Sequence, residues 1–310
     1  MPTVATEGTT VDLNELRARP ELLPTYLFHQ RIRETPVGGG SICQARRLTL
    51  EDGASLFAKT YGDGDDSRAP KNFFATEAAG LRWLGEATAA GGVPVPEVIV
   101  ALPDLLALSW VEPGEPSPAA AERFGRELAA THRAGAEAFG APWPGFIGSL
   151  PQDNTLTPVE QGWAEWFVSR RLEPYLDLAA RRQALSPKDV ATVRSLLDRV
   201  PDLAPPPEPP ARLHGDLWPG NVLWADDGRA WLVDPAAHGG HRETDLAQLA
   251  LFGGAPYLDR ILAAYHEAWP LPDGWRERVP LHQLHLLLVH VALFGASYRG
   301  SVMAAVAALS

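Results

Sequence analysis

Residues 214–221 read His-Gly-Asp-Leu-Trp-Pro-Gly-Asn, and a further carboxylate follows at Asp234. The order and spacing of His214, Asp216, Leu217 and Asn221 satisfy the His-x-Asp-Leu-x-x-x-Asn loop that carries phosphoryl transfer from ATP in kinases. In that chemistry Asp216 orients the acceptor hydroxyl and takes its proton. Mg2+ prefers one or two protein oxygens and keeps its other positions for water and phosphate, so Asn221 and Asp234 are the expected metal pair. Asp216, Asn221 and Asp234 are therefore the candidate catalytic residues.

A hairpin must bring those groups together. Val222-Leu223-Trp224 and Ala230-Trp231-Leu232-Val233 are apolar runs on either side of an Asp227-Gly228 turn signal. A turn centred between Asp227 and Gly228 puts Asn221 and Asp234 equally far from it, facing each other at the open end.

A kinase must also hold the triphosphate, and the required pieces occur upstream in the required order. Gly38-Gly39-Gly40-Ser41 lets backbone N–H groups approach phosphate oxygens without interference from a Cβ. Two runs, 45–50 and 54–59, flank Glu51-Asp52-Gly53 as a second hairpin, and Lys59 ends its second strand, matching the lysine that pairs with the α and β phosphates. Phe73, Phe74, Glu77, Leu81 and Leu84 share one helical face. A carboxylate in that stripe is costly to bury unpaired, and Lys59 is its expected partner. Leu105-Leu106-Ala107-Leu108-Ser109-Trp110-Val111 reads as a buried strand stopped by Glu112-Pro113-Gly114, and Leu108, Trp110 and Glu112 are expected to offer adenine contacts there.

The chain has 310 residues, 45% of them hydrophobic, enough to bury a substantial core. A net charge of −11 disfavours a broad surface for nucleic acid or acidic membranes. Cys43 stands alone, which excludes an intrachain disulfide, a Cys-x-x-Cys redox pair and a zinc knuckle. Residues 1–25 lack an apolar segment of signal-peptide length, and the apolar run 286–296 is too short to span a bilayer, so a cytoplasmic protein is expected.

Residues 1–25 are polar, with one short helix near 13–17, and read as an extension of a small lobe. A helix over 118–133 carries Phe124, Leu128 and Thr131 on one face and begins the larger lobe, with His132 near its end in the ordinary role of a cap or terminal cation. The proline-dense stretch 201–210 reads as a stiff exposed loop. Residues 281–309 read as one or two buried helices. His282, His285 and His290 in them do not share one helical face and have no interleaved acid, which argues against zinc. Gly-x-Ser-x-Gly, His-Glu-x-x-His and Walker A patterns are absent.

With Leu213-His214-Gly215-Asp216-Leu217-Trp218-Pro219-Gly220-Asn221, Asp234-Pro235-Ala236, Arg242-Glu243-Thr244-Asp245-Leu246-Ala247 and Leu251-Phe252-Gly253-Gly254 in view, the chain resembles the fructosamine kinase (ketosamine 3-kinase) family from about Gly38 onward. The resemblance implies an α+β, bilobal protein-kinase-like fold: a small lobe (1–111) with an antiparallel sheet and one main helix, and a larger, mainly helical lobe (112–310). It implies ATP and Mg2+ as cofactors and transfer to the 3-hydroxyl of a ketosamine, free or on a glycated protein. Asp245 would brace the catalytic loop through backbone N–H groups, and Trp218 would contact substrate, stacking on the sugar or its amine. Ser41 stands where family members often carry cysteine, and Pro144-Gly145 replaces the usual Asp-Asn before Ile147-Gly148. Alternatives are an aminoglycoside- or choline-type phosphotransferase and a nucleotide-binding pseudokinase scaffold. The complete set Lys59, Asp216, Asn221 and Asp234 argues against the scaffold.

Overall fold

Turn and cap chemistry sets the first elements. Asp12 caps α1 (Leu13–Ala18), its carboxylate accepting the Glu15 N–H at 2.8 Å, and α2 (Leu23–Phe28) starts with a proline in its first turn. The computed structural model describes residues 10–38, 42–62 and 69–310, so Gly39, Gly40 and Ser41 of the expected phosphate loop lie outside the described residues. Five antiparallel strands follow: β1 (Arg33–Val37), β2 (Cys43–Thr49), β3 (Ser55–Tyr61), β4 (Val98–Leu102) and β5 (Leu105–Ser109), in the order β1-β2-β3-β5-β4. Gly53, at φ +87°, takes the left-handed turn that pairs Thr49 with Ser55. Both β1 and β4 are additional to the strands expected from sequence.

Chain contacts divide the protein into two units, Met1–Ala78 with Pro96–Glu112, and Ala79–Val95 with Pro113–Ser310. The core of the first joins the fully buried Val11, Leu16 and Leu23 to Leu48, Leu56 and Val100 of the sheet. Residues 11–26 are thus integral to the apolar core of the sheet. The expected single boundary after residue 111 misses one crossing: α3 (Phe73–Glu86) begins in the first unit and ends in the second. Its later half packs closely within the second unit, where a Cβ on Gly80 would lie 3.1 Å from that of Ala237.

The second unit is mainly helical. It comprises α4 (Pro118–Arg133), β6 (Gly145–Ile147), β7 (Leu150–Gln152), α5 (Trp163–Phe167), α6 (Glu173–Arg181), α7 (Pro187–Leu197), α8 (Val200–Leu203), β8 (Ala211–Leu213), β9 (Val222–Trp224), β10 (Ala230–Leu232), β11 (His238–Gly240), α9 (Glu243–Gln248), α10 (Leu258–Ala268), α11 (Trp275–Phe294) and α12 (Arg299–Ala308). Ser117 caps α4 by accepting the Ala120 N–H at 3.2 Å, and Phe124, Leu128 and Thr131 are all buried, as their spacing predicts. A Cβ on Gly125 would fall 2.2 Å from the Ile261 carbonyl oxygen, so only glycine lets α4 and α10 approach this closely. Gly145 has the same reason to lack a side chain, since its Cβ would meet the Gln152 carbonyl oxygen at 2.5 Å.

The expected loop at 201–210 starts instead as the short α8, and Glu208 anchors the remainder by accepting two 2.7 Å hydrogen bonds from the Arg242 guanidinium. The C-terminal region forms two helices separated at Gly295, φ +81°. By length and composition the stretch Trp275–Ala308 is apolar enough to cross a bilayer, which exceeds the 286–296 run seen in sequence. Here Leu281, Leu284, Leu286 and Leu288 of α11 are fully buried against a core that includes Phe167, Leu172 and Leu176.

Candidate active site

The catalytic loop leaves β8, whose Leu213 pairs with His238 of β11. Gly215 turns the chain at φ +81°, and a Cβ there would lie 2.3 Å from the Ala236 carbonyl oxygen. Both conditions select glycine. Asp245, fully buried on α9, accepts the His214 N–H at 2.7 Å and the Gly215 N–H at 2.9 Å, the bracing contact the family resemblance implies. One helical turn on, Gln248 accepts the Leu217 N–H at 2.7 Å and donates to the Gly215 carbonyl at 3.3 Å. Two side chains three residues apart on one helix face therefore hold the backbone of the loop.

His132 is a correction to the sequence reading. It is fully buried, with Nε2 3.1 Å from Asp245 Oδ2 and Nδ1 2.9 Å from the Tyr265 hydroxyl. With one ring nitrogen on the Asp245 carboxylate and the other on the Tyr265 hydroxyl, the imidazole is a buried link between α4, α9 and α10 rather than a cap at the helix end. His214 is similarly fixed. Its Nε2–H donates to the Val233 carbonyl at 2.8 Å while Nδ1 accepts the Asp216 N–H at 3.2 Å, and burial holds its pKa below the ordinary histidine value. A neutral ring thus ties the catalytic loop to the residue preceding Asp234.

The hairpin forms, but with a register one residue removed from the expected one. Trp224 pairs with Ala230 and Val222 with Leu232, which centres the turn on Asp227. The Gly228 N–H closes on the Ala225 carbonyl at 3.1 Å, and Gly228 itself takes φ +73°, adding the residue of a G1 bulge. Asn221 consequently faces Val233, whose N–H donates to its carbonyl at 3.1 Å, and Asp234 lies one step further along. Asp234 then turns out of the strand at φ +54°, a left-handed conformation uncommon for a non-glycine residue and frequent at functional sites.

Asn221 links all three candidate groups. Its Nδ2 donates to the Asp216 carbonyl at 2.8 Å and the Asp216 carboxylate at 3.1 Å, and it lies 3.4 Å from the Asp234 carbonyl. With the amide nitrogen turned to Asp216, Oδ1 is the acceptor end that remains for a cation. Asp216 keeps part of its surface open, yet burial of its carboxyl, ahead of the like charge on Asp234, pushes its pKa well above the ordinary carboxylate value. The amide and carboxylate oxygens of Asn221 and Asp234 form a hard donor set that fits Mg2+.

Within the first unit, Lys59 on β3 and Glu77 on α3 form a 2.6 Å ion pair, both side chains buried. Burial at these two positions costs little only while they remain paired. Glu77→Gln should therefore lower stability by roughly 3 kcal/mol, measured by denaturant unfolding, while a Lys59→Met/Glu77→Gln double variant should lose less than the sum of the single changes.

The expected adenine contacts are only partly open. Leu108 lies inside the sheet, paired with Phe57 on one side and Val98 on the other, so its backbone is committed to the ladder. The strand ends at Ser109, earlier than its apolar pattern suggested. Beyond it the Trp110 indole donates to Glu112 at 2.8 Å and lies under the Arg47 guanidinium at 4.4 Å, which occupies both side chains structurally. Gly38 is exposed, with open space where a Cβ would stand.

Trp218 is partly buried and folds back over Gly220, where any Cβ would fall 2.0 Å from the indole. Among the described residues, His241, Glu243 and His282 gather as potential metal ligands, a grouping that includes only His282 of the three C-terminal histidines. The acid comes from α9 rather than from between them. Both Glu243 oxygens, however, accept hydrogen bonds from Arg278, at 2.7 and 2.8 Å, so a cation there would confront a guanidinium.

A five-stranded antiparallel sheet in one unit, and in the other, mainly helical unit a braced His-x-Asp loop followed by the hairpin that ends at Asp234, define a kinase-like phosphotransferase. The fold-level likeness extends to a choline/ethanolamine kinase family protein of Mesorhizobium loti (TM-score 0.58, 18% identity, 95% and 92% coverage of the two chains). A model of the fructosamine kinase family matches residues 25–309, and the chain belongs to that family. It is 36% identical to a probable ketoamine kinase of Thermus thermophilus, over 88% of this chain and 92% of the relative. It is 33% identical to a chloroplastic protein-ribulosamine 3-kinase of Arabidopsis thaliana, covering 86% and 79%. The crystal structure of a candidate fructosamine-3-kinase from Thermobifida fusca superposes with TM-score 0.83 at 51% identity, covering 90% and 93%. The chain is a kinase enzyme of this family.

Proposed function

We propose that this kinase transfers the γ-phosphoryl group of ATP to the 3-hydroxyl of a ketosamine, a sugar joined through nitrogen to an amino acid or a protein lysine. The observation that carries the reading is the Asp216 carboxyl, held by Asn221 at 3.1 Å beside Asp234, on a loop anchored by Asp245. The ketoamine kinase relatives supply the substrate class. Phosphorylation at that hydroxyl would destabilise the adduct and free the amine, so the activity would serve deglycation in the cytoplasm.

Each residue has a stated task. Lys59, fixed by Glu77, takes the α and β phosphates; Asn221 and Asp234 offer the oxygens for Mg2+. When bound, Mg2+ supplies neutralisation of phosphate charge. Asp216 aims the acceptor hydroxyl and receives its proton, which requires the carboxylate form. His214 and Gln248 keep the loop in register while this occurs.

A steady-state comparison of fructosyl-lysine, ribulosyl-lysine, kanamycin and choline as acceptors tests the assignment. Turnover is expected with at least one ketosamine at a kcat/KM ten or more times that of kanamycin or choline. Phosphate on kanamycin or choline and on neither ketosamine would overturn it.

A further inference from the structure

Beside the catalytic loop, the second unit exposes rings that ordinary core packing does not require. Phe252 is 42% exposed and Phe294 47%, whereas most large apolar side chains of this unit are buried. Phe252 also has φ +52°, a left-handed conformation that costs a bulky L-residue about 1–2 kcal/mol. It is followed by Gly253 and Gly254 at φ +102° and +80°, so this whole turn is left-handed. Backbone strain that keeps a phenylalanine in the open calls for a compensating use.

The neighbours of that ring indicate the use. Trp218, two residues after Asp216, meets Phe252 edge to face at 5.8 Å. His290 lies 4.6 Å from Phe252, and Tyr298 lies 6.0 Å from Phe252 and 4.9 Å from His290. His290 pairs its Nδ1 with the Leu286 carbonyl at 2.8 Å, which makes Nδ1 the donor and leaves Nε2 as an acceptor. Burial lowers the pKa of this histidine, so the ring adds no positive charge. The adjacent Arg299 is committed to Asp189 through hydrogen bonds of 2.7 and 2.6 Å. A cluster of neutral π faces with one nitrogen acceptor is suited to a substituted ammonium ion and offers little to a neutral ether or amide.

We propose that Phe252, His290 and Tyr298, together with Trp218, form a subsite for the protonated secondary amine of the acceptor, so that the enzyme recognises its substrate by the charged nitrogen as well as by the sugar. This inference rests on the ketosamine reading above and adds residues and a charge requirement to it. The subsite selects ammonium-linked sugars over uncharged sugars of equal size.

The test compares two acceptors, fructosyl-lysine and its analogue with a methylene in place of the linking nitrogen. Each ring face contributes about 3- to 30-fold to cation binding. Wild type should prefer the amine by ten-fold or more in kcat/KM. Phe252→Leu and Tyr298→Leu should each bring that ratio several-fold nearer to one, with the KM for ATP and the circular dichroism spectrum unchanged. An unchanged ratio in both folded variants overturns the subsite. If wild type phosphorylates neither acceptor, the function reading fails, and calorimetric binding of the same two molecules decides the subsite separately. Tighter amine binding that weakens in Phe252→Leu supports it; equal binding of both molecules refutes it.

Discussion

Asp216→Asn should reduce kcat by roughly 10² to 10⁴, the usual contribution of a positioned general base, while leaving the KM for ATP near its wild-type value. The same substitution should make the protein more stable. Asp216 has a raised pKa in the fold because its carboxyl is buried and Asp234 lies nearby. For a carboxyl of raised pKa the sign is fixed: the fold binds the proton more tightly than the unfolded chain, so its stabilising contribution is complete below about pH 4 and is lost as pH rises through the folded value. Asparagine cannot ionise and escapes that loss. Thermal unfolding without nucleotide or metal should therefore show a higher Tm for Asp216→Asn at pH 7 and convergence with wild type toward pH 4. Equal or lower stability at pH 7 would show that the carboxyl is not destabilised in the way its surroundings indicate.

Asp245→Ala should damage both folding and turnover. The carboxylate accepts two backbone N–H groups of the catalytic loop and faces His132, in a site with no solvent exposure. Alanine leaves these donors buried without a partner, at about 1–3 kcal/mol each, so a total loss of around 4 kcal/mol is expected. Because the loop geometry itself depends on these bonds, kcat should fall at least 10²-fold even well below the unfolding transition. Asp245→Asn keeps one oxygen for the loop and should lose less of both. Denaturant unfolding and steady-state kinetics on the same preparations check the two parts; a stable Asp245→Ala enzyme with wild-type kcat would remove Asp245 from the positioning role.

These two residues also mark the limits of what a sequence discloses. Asp216, Asn221 and Asp234 were readable because the loop and hairpin compress their chemistry into 21 consecutive positions, 214–234. The register was not, since whether an Asp-Gly turn takes two residues or a bulged extra one depends on local backbone choices that both fit the same apolar runs. His132 escaped for a different reason: its partner Asp245 is 113 residues away, and a histidine near a helix end has an adequate local explanation. Gln248 could have been found from its position one turn beyond Asp245 on the same helix face. Leu108 shows a further limit: an apolar run marks a buried strand, but not that Leu108 would be flanked in register by Phe57 on one side and Val98 on the other.

The pairing of Lys59 with Glu77 was legible from the cost of burying a carboxylate in an apolar stripe. β4 has strong strand character in Val98-Ile99-Val100, but at five residues it is a short run with no alternation to set it apart from a loop in sequence. The aromatic group around Phe252 is a tertiary feature. Its members come from the catalytic loop, the segment after α9, α11 and the turn into α12, and no sequence window contains them together.

The most direct test of the central claim is the position of the transferred phosphate. Wild-type enzyme incubated with ATP, Mg2+ and 13C-labelled fructosyl-lysine or ribulosyl-lysine should give a product whose 31P–13C couplings place the new ester on O3. An ester on another hydroxyl, or none on either ketosamine while another alcohol is phosphorylated, would contradict the account.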